Sequence, residues 1–324
     1  MTPEIIAHRG ASYLAPENTL AAFRKAVEIG ADGVEMDVQQ TSDAGLVIHH
    51  DYIIDLHTAI SGTIYDMTEG ELKDLDFGSW KDISFKDEKI ATLAEALALC
   101  KGMEGITVQL ELKSTVNNDP EFVARVLQEI RAADIADRLI LISFNHDLLR
   151  QVKQQMPELR VGALLYGAFE TMVLPTGTWE ALGLQNGLDE DDDMPALPDL
   201  TAVDASDENC SWQIRWMNDK IRMLRANFPG KNPAEVAQKL LEQRNPVEYI
   251  QTLDFPVEWV SCEYHTIYQQ PSMVRRLHEL GIKAAFWTVD TEQAVRDLLP
   301  YEPDAIVTNR PDRVREWAGQ AQDA

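Results

Sequence analysis

Eight short apolar segments recur along the chain and constrain its fold more than any other feature. Helical patterns separate most of them, as over residues 93–99, 120–132, 273–280 and 293–299. Strands that alternate with helices predict a parallel sheet, and eight such units close into a TIM-type (β/α)8 barrel. The predicted strands are residues 5–7, 34–38, 108–112, 139–143, 161–165, 259–262, 284–288 and 305–308.

The first repeat can be followed residue by residue. The apolar run Ile5-Ile6-Ala7 ends at His8-Arg9-Gly10, which predicts a buried strand followed by a turn. Asn18 or Thr19 is a natural N-cap for the amphipathic segment that follows, and Gly30 is a natural stop. His8 and Arg9 therefore leave the carboxyl end of the first strand, which is the catalytic end of a barrel.

The second strand carries two carboxylates on one face. In Gly33-Val34-Glu35-Met36-Asp37-Val38, Glu35 and Asp37 alternate with apolar residues. An exposed edge strand has the same pattern, but in a barrel the acidic pair faces inward near the mouth. Two inward carboxylates need protons or a cation, and a divalent metal is the simpler answer.

The segment after this strand predicts a hairpin. Residues 39–45 are too few for a parallel crossover, so the chain must double back through Asp43-Ala44-Gly45. The return strand, residues 46–50, then runs toward the mouth that Glu35 and Asp37 occupy. We therefore expect His50 to lie opposite His8.

These residues form an ordered set of motifs, and the chain resembles the glycerophosphodiester phosphodiesterase family. That family opens with His-Arg-Gly, Pro-Glu-Asn-Thr, Glu-x-Asp and His-Asp. Four weak motifs in this order and spacing are together specific, and the resemblance covers residues 5–165 and 258–314. The matching segments here are His8-Arg9-Gly10, Pro16-Glu17-Asn18-Thr19, Glu35-Met36-Asp37 and His50-Asp51, followed by Glu111-Leu112-Lys113, Ser143-Phe144 and Trp287-Thr288-Val289.

The resemblance implies a metal centre and a proton-transfer pair. Glu35, Asp37 and Glu111 would hold one divalent cation, Mg²⁺ or Ca²⁺, since both prefer carboxylate oxygens. His8 and His50 would be the general acid/base pair, because histidine can accept and donate protons near neutral pH.

It also implies contacts with the substrate. Arg9 and Lys113 would face the phosphodiester, whose negative charge a guanidinium and an ammonium complement. Phe144 and Trp287 follow or end barrel strands, so we expect them to form walls of the glycerol or alcohol pocket, with core packing as the alternative.

The other histidines lack comparable context. His49 should point away from the face that carries His50, which predicts a structural or supporting role. We expect surface or packing roles for the rest, namely His57, His146, His265 and His278.

Two segments interrupt the simple repeat. Residues 51–90 form a small insertion, which departs from the family pattern at Leu56-His57-Thr58 and at Ala91. Residues 166–257 form a large excursion between strands five and six, with an acidic run at 189–193 that we interpret as a solvated loop. Because such connections emerge at the barrel mouth, the excursion is expected to restrict substrate size or to form a subunit contact.

Composition limits the remaining possibilities. The length of 324 residues favours one barrel domain over residues 1–324. The formal charge of −25 argues against nucleic acid as a partner. Three widely spaced cysteines, the absence of a long apolar segment and a polar amino terminus predict a cytoplasmic protein with reduced thiols and no stable membrane insertion. A homo-oligomer is compatible with the sequence.

The sequence therefore predicts a metal-dependent hydrolase that converts glycerophosphodiesters to glycerol 3-phosphate and an alcohol. A lysophospholipase D-type phosphodiesterase is the first alternative and would require an apolar groove for an acyl chain. A phosphodiester-binding protein without turnover is the second, although such a protein has no need of two proton carriers.

Overall fold

The computed structural model describes residues 2–115, 118–167, 226–231 and 233–322. The acidic run at 189–193 and Cys210 lie outside these residues.

Eight parallel strands close into a barrel, as the sequence predicts. The first strand pairs with the last through Ile5 and Ile306 and with the second through Ala7 and Val34, which leaves the parallel sheet without an open edge. The strands are β1 (Glu4–Ala7), β2 (Gly33–Gln40), β5 (Thr107–Leu112), β6 (Leu139–Ser143), β7 (Arg160–Leu165), β8 (Trp259–Glu263), β9 (Lys283–Trp287) and β10 (Ala305–Thr308), with the short β3 (Leu46–Ile48) and β4 (Ala91–Thr92) described below.

Helices follow the barrel strands and cover their outer faces. Those over the four predicted helical patterns begin and end within two residues of the expected bounds. The helices are α1 (Leu20–Glu28), α2 (Glu69–Asp74), α3 (Leu93–Lys101), α4 (Phe122–Ala133), α5 (His146–Gln155), α6 (Pro233–Gln243), α7 (Pro246–Ile250), α8 (Thr266–Gln269), α9 (Met273–Glu279), α10 (Glu292–Leu298) and α11 (Pro311–Gln322).

The predicted hairpin is present but shorter than expected. β3 pairs antiparallel with β2 and ends at Ile48 rather than at His50. The amide of His49 still donates to the carbonyl of Asp37 at 2.9 Å, so the chain stays beside β2 for one more residue. From His49 to Asp51, the side chain of Gln39 donates to the backbone carbonyls in place of a strand partner.

The insertion at 51–90 has a small core of its own beside the barrel. Val47 of β3 packs there with buried residues of the insertion, and β4 closes this layer by pairing with β3. The insertion is therefore anchored on the hairpin next to His50. Its other core members are Ile54, Ile64, Leu72, Phe77 and Ile90.

Apolar side chains fill the barrel interior below the mouth. Alternation along the strands directs one set of residues inward, and these form a cluster separate from the core beneath the helices. Phe144 and Trp287 pack on top of that inner cluster. The interior set is Ile6, Ile140, Ile142, Leu164, Trp259, Ala285, Ala305 and Val307.

Candidate active site

Three buried carboxylates meet at the carboxyl ends of neighbouring strands. Glu35 and Asp37 lie on β2 and Glu111 on β5, in register so that Asp37 is the partner of Glu111. One oxygen from each lies within 4.8 Å of the others, and all three side chains are buried. β2 and β5, both predicted as strands from the sequence, therefore bring their acidic residues together.

Two cations are set among these carboxylates. The Nζ of Lys113 donates to Glu111 Oε1 at 3.0 Å and lies 3.3 Å from Asp37 Oδ1. Arg9 donates through Nη1 to Glu17 Oε1 at 2.7 Å, and its Nε lies 3.8 Å from Asp37 Oδ2. Both predicted phosphate-binding residues thus line the same site as the carboxylates.

The charges of this cluster balance only if it binds protons or a further cation. The carboxylates Glu17, Glu35, Asp37, Asp51 and Glu111 outnumber the cations Arg9 and Lys113 by three. Burial, together with the charge of Asp37, raises the pKa of Glu35 well above its usual value. Burial also raises the pKa of Glu111, against the opposing charge of Lys113. A divalent ion would offset two of these charges and let both groups ionise, so the donor set fits a hard metal ion.

The loop after β1 adopts a backbone shape that few residues tolerate. Arg9 has φ of 55° and Gly10 has φ of 78°, and the amide of Arg9 donates to Glu35 Oε2 at 2.9 Å. This turn brings the His8 ring and the Arg9 amide to the same oxygen of Glu35, at 4.0 and 2.9 Å.

Asn18 was one of two predicted candidates for the helix cap. In the structure it supports the carboxylates instead. Thr19 is the N-cap of α1, because its side chain accepts from the amide of Ala22. Asn18 instead has φ of 57° and donates through Nδ2 to Asp37 Oδ2 at 2.8 Å. Burial alone would raise the pKa of Asp37, but nearby positive charge, chiefly Lys113, and this hydrogen bond hold it well below its usual range.

His8 is oriented by a hydrogen-bond chain from the last strand. Its Nδ1 lies 2.8 Å from Asn309 Oδ1, while Asn309 Nδ2 donates to Asp290 Oδ2 at 2.6 Å. The carboxylate requires a donor, so the amide oxygen faces His8 and the ring must carry its proton on Nδ1. The unprotonated Nε2 then lies 4.0 Å from Glu35 Oε2. Burial and the charge of Arg9 lower the pKa of His8 to about 4, so the ring is neutral at pH 7.

His50 is held in an equivalent way by its neighbour. Its Nδ1 donates to Asp51 Oδ1 at 2.8 Å, which leaves Nε2 as the atom that can exchange a proton. Gln39 fixes the backbone here by donating to the carbonyls of His49, His50 and Asp51 at 2.7, 3.1 and 2.8 Å. Burial and the charges of Arg9 and Lys113 lower the pKa of His50, which therefore lies in the same cluster as His8.

His49 and His57 connect the two sides of this cluster. His49 Nδ1 donates to the carbonyl of Asp51 at 2.7 Å, and its Nε2 lies 3.1 Å from His57 Nδ1. His57 Nε2 lies 4.0 Å from Glu17 Oε1, the oxygen that Arg9 also contacts. The supporting role expected for His49 agrees with this geometry, whereas His57 lies much nearer the site than its sequence context indicated.

Aromatic residues form the opposite side of the mouth. The ring of Phe144 lies 5.8 Å from that of Trp287 and 4.4 Å from that of Tyr166, and Phe228 follows at 6.2 Å from Tyr166. Within the long excursion, the carbonyl of Ala226 accepts from Ser114 Oγ at 2.6 Å. The excursion therefore packs, at Ala226, against the segment that follows β5.

Several of these residues were not recognised as site residues from the sequence. Asn309 follows β10 as His8 follows β1, so the strand-end position that identified His8 was available for Asn309 as well. Asp290 and His57 act through other side chains, and no local pattern signals their contacts. Glu17 belongs to the Pro16-Glu17-Asn18-Thr19 motif, but the motif did not indicate its contact with Arg9.

Comparison with known proteins identifies the family. The sequence profile of the glycerophosphoryl diester phosphodiesterase family matches residues 8–183 and 213–313. The chain belongs to this family. The match includes the carboxylates, both histidines and Asn309, and it confirms the resemblance that the N-terminal motifs indicated.

Characterised relatives of the family align with about half of the chain. A glycerophosphodiester phosphodiesterase from Caldanaerobacter subterraneus subsp. tengcongensis is 42% identical over 160 residues, which are 49% of this chain and 65% of that protein. Human glycerophosphodiester phosphodiesterase 1 is 34% identical over 151 residues, 46% of this chain and 45% of the human protein. The alignments thus span less than two thirds of either relative.

Solved structures of the family share the barrel over nearly the whole chain. A phosphodiesterase from Oleispira antarctica superposes with a TM-score of 0.65 at 24% identity, covering 100% of this chain and 98% of that one. A glycerophosphodiester phosphodiesterase from Thermotoga maritima gives 0.59 at 21% identity, with 98% of each chain covered. Both likenesses concern the fold.

A helix must be long and apolar throughout to span a membrane. Within the described part of the chain, none has the length and apolar content needed to cross a bilayer.

Proposed function

We propose that this protein hydrolyses glycerophosphodiesters to glycerol 3-phosphate and an alcohol, with a divalent metal and two histidines. One observation carries the proposal: Glu35, Asp37 and Glu111 converge within 4.8 Å, in the cluster that also contains His8 and His50. Membership of the family and the names of its relatives support the same activity. The Oleispira antarctica structure is described as a complex with the product sn-glycerol-3-phosphate, which is the product expected here.

The three carboxylates would hold Mg²⁺ or Ca²⁺. Such an ion supplies Lewis-acid stabilisation of negative charge on the phosphoryl oxygens. The excess of carboxylates over cations in this cluster supports a divalent ion over a monovalent one.

Arg9 and Lys113 would bind the phosphodiester and stabilise the charge that grows on it. The Glu17 carboxylate contacts Arg9 Nη1, so one edge of the guanidinium is used for positioning. Lys113 lies between Asp37 and Glu111 and presents its charge next to the proposed metal position. Donors fixed before the reaction favour the transition state because they need no reorganisation.

His8 and His50 would move the protons. Each ring uses Nδ1 for an oxygen acceptor, Asn309 for His8 and Asp51 for His50, so Nε2 is the reactive atom in both. One ring would take the proton from the attacking water or glycerol hydroxyl at Nε2. The other must first bind a second proton from solvent at its Nε2, which it would then deliver to the leaving alkoxide. Phe144 and Trp287 would exclude water from the pocket that holds an organic part of the substrate.

The experiment that tests this function is a metal-reconstituted assay with His8→Ala. We expect release of glycerol 3-phosphate from glycerophosphocholine only with Mg²⁺ or Ca²⁺ present. His8→Ala should lower kcat by about 100-fold or more, while metal affinity measured by calorimetry changes little, because His8 Nε2 is 4.0 Å from Glu35.

His278→Ala is the matched control, because His278 is 41% exposed and pairs with Asp304 outside the site. A wild-type protein that binds metal but shows no turnover would support the phosphodiester-binding alternative instead. Activity that survives in His8→Ala would contradict the role of His8. Lysophosphatidylcholine in the same assay tests the lysophospholipase D-type alternative.

A further inference from the structure

A short part of the long excursion is packed against the ends of the barrel strands. It lies within the described residues 226–231, and α6 follows it in the chain. We call residues 226–228 the strap. Ala226, Asn227 and Phe228 are only 5 to 6% exposed, so the strap is part of the packed molecule and does not lie loosely on its surface.

Three neighbouring strand ends hold the strap. Ser114 lies two residues after β5, Asn145 two residues after β6, and Tyr166 directly after β7. Ser114 Oγ donates to the Ala226 carbonyl at 2.6 Å, and Asn145 Nδ2 donates to the same oxygen at 3.4 Å. Asn227 Nδ2 donates to the Tyr166 hydroxyl at 2.8 Å. Because the carboxyl ends of β5, β6 and β7 lie side by side at the catalytic end of the barrel, the strap bridges this sector of the mouth.

This sector adjoins the candidate active site. Glu111 lies on β5, and Lys113 immediately precedes Ser114. Burial, together with the charge of Glu111, raises the pKa of Tyr166, so that ring lies near the carboxylate cluster. Tyr166 also packs against Phe144, a predicted wall of the pocket, at 4.4 Å between ring centroids. The strap therefore supports this side of the pocket from behind.

We propose that the strap limits the length of the organic groups that the substrate can carry. Packed and hydrogen-bonded residues do not admit extra methylene groups without displacement, which costs free energy. A long chain directed over the ends of β5, β6 and β7 would have to displace the strap, whereas a short group would not reach it. The inference rests on the proposed function and specifies its substrate class: diesters of short alcohols with no long acyl chain on the glycerol.

Lys113 is held in place by contacts other than the strap. Its amide donates to the Val38 carbonyl at 3.1 Å, and its carbonyl accepts from Asn118 Nδ2 at 3.0 Å. The hydroxyl of Tyr52, from the insertion, donates to the carbonyl of the next residue, Ser114. Loosening the strap should therefore change which substrates enter the site, while hydrolysis of short diesters continues.

The test measures kcat/KM with metal present on two series of substrates. In the first, the glycerol of glycerophosphocholine carries an acetyl, butanoyl, hexanoyl or octanoyl group. In the second, choline is replaced by straight-chain alcohols from ethanol to octanol. We expect wild-type kcat/KM to fall by about tenfold or more along at least one series. The series that falls identifies the part of the substrate that lies against the strap.

Two variants loosen the strap at different points. Asn145→Ser keeps an oxygen that can cap α5 but no longer reaches Ala226, and Asn227→Ala removes the donor to Tyr166. Each should raise kcat/KM for the longest substrate about threefold or more relative to the shortest, which is the effect of one lost hydrogen bond. Glycerophosphocholine itself should be hydrolysed at nearly the wild-type kcat/KM. The matched control is Thr68→Ala, which removes the side-chain cap of α2 in the insertion and should leave the length dependence unchanged.

Thermal unfolding shows whether each variant is folded, and Ser114→Ala, which removes the donor at 2.6 Å, replaces one that is not. A wild-type kcat/KM that stays constant along both series would overturn the role of the strap. A length dependence that is unchanged in the folded strap variants would overturn it as well. Both results leave the hydrolytic function intact. If the wild-type protein hydrolyses no member of either series with metal present, the proposed function itself fails.

Discussion

At the residue scale, hydrogen-bond direction decides which atoms of the site can react. His8 and His50 are two rings of the same type, and each is held with its Nδ1 on an oxygen acceptor. The acceptor for His8 is Asn309, 301 positions along the chain, and the acceptor for His50 is its neighbour Asp51. The proposed chemistry therefore depends on residues that touch no substrate.

The first prediction concerns His57, which has its own defined tautomer. His49 uses its Nδ1 proton on a carbonyl, so its Nε2 must accept, and His57 Nδ1 must donate. His57→Phe keeps a ring against Trp80 but removes this donor. We expect a loss of about fivefold in kcat/KM, equivalent to one hydrogen bond of about 1 kcal/mol.

His57→Asn is the matched variant, because an asparagine Nδ2 occupies nearly the position of the histidine Nδ1. It should recover most of the activity. Steady-state kinetics on glycerophosphocholine with thermal unfolding of both variants makes the comparison. Equal activity loss in both variants would show that the hydrogen bond to His49 is not the relevant contact.

At the element scale, the connection between β1 and α1 requires one particular glycine. A Cβ on Gly10 would lie 2.7 Å from the Cβ of Ala22 in α1, and the residue has φ of 78°. This glycine therefore permits both the turn and the close approach of the helix. The Arg9 amide that contacts Glu35 depends on the same turn.

The second prediction separates backbone strain from steric clash. A Cβ on Gly105 would have no atom within 4 Å, and the residue has φ of 72°. Gly105→Ala should therefore lower the unfolding free energy only by the cost of holding alanine in the left-handed conformation, about 1 kcal/mol. Gly10→Ala adds the clash with Ala22 and should cost at least twice as much. Urea unfolding of the two variants provides the values. Similar losses would mean that the loop moves away from α1 without cost.

At the scale of the whole molecule, buried histidines make the fold sensitive to acid. Burial lowers the pKa of His146 to about 4, and the ring contacts the hydroxyl of Tyr249 and the carbonyl of Leu164. The charges of Asp147, Arg150 and Lys239 also act on it. The unfolded chain therefore binds a proton here at a higher pH than the folded protein does.

The third prediction follows from that sign. The folded pKa of His146 is below its unfolded value of about 6.5, so unfolding is favoured as pH falls from 6.5 toward 4. His146→Gln should lose less stability over this range than the wild type, by as much as about 3 kcal/mol. Above pH 7 the ring is neutral in both states and contributes no pH dependence. Urea unfolding in a pH series measures the difference, and parallel curves for the two proteins would contradict it.

The sequence by itself determined the barrel and the chemical types at its mouth. Strand positions follow from apolar runs, and the Glu35 and Asp37 pair follows from alternation, because both depend on periodicities that a single strand carries. The hairpin was predictable from the shortness of residues 39–45, although its true end at Ile48 was not. That hairpin placed His50 at the same mouth, and the family motifs added Glu111 to the site.

Only the tertiary structure decided which side chains support the site. Asn309 reaches His8 across 301 positions, and Glu17 contacts both Arg9 and His57. Such contacts depend on closure of the sheet and on loop paths, which bring together residues with no shared local pattern. A periodic signal in sequence shows which face a residue occupies, but its partner on that face is settled only when the strands pair.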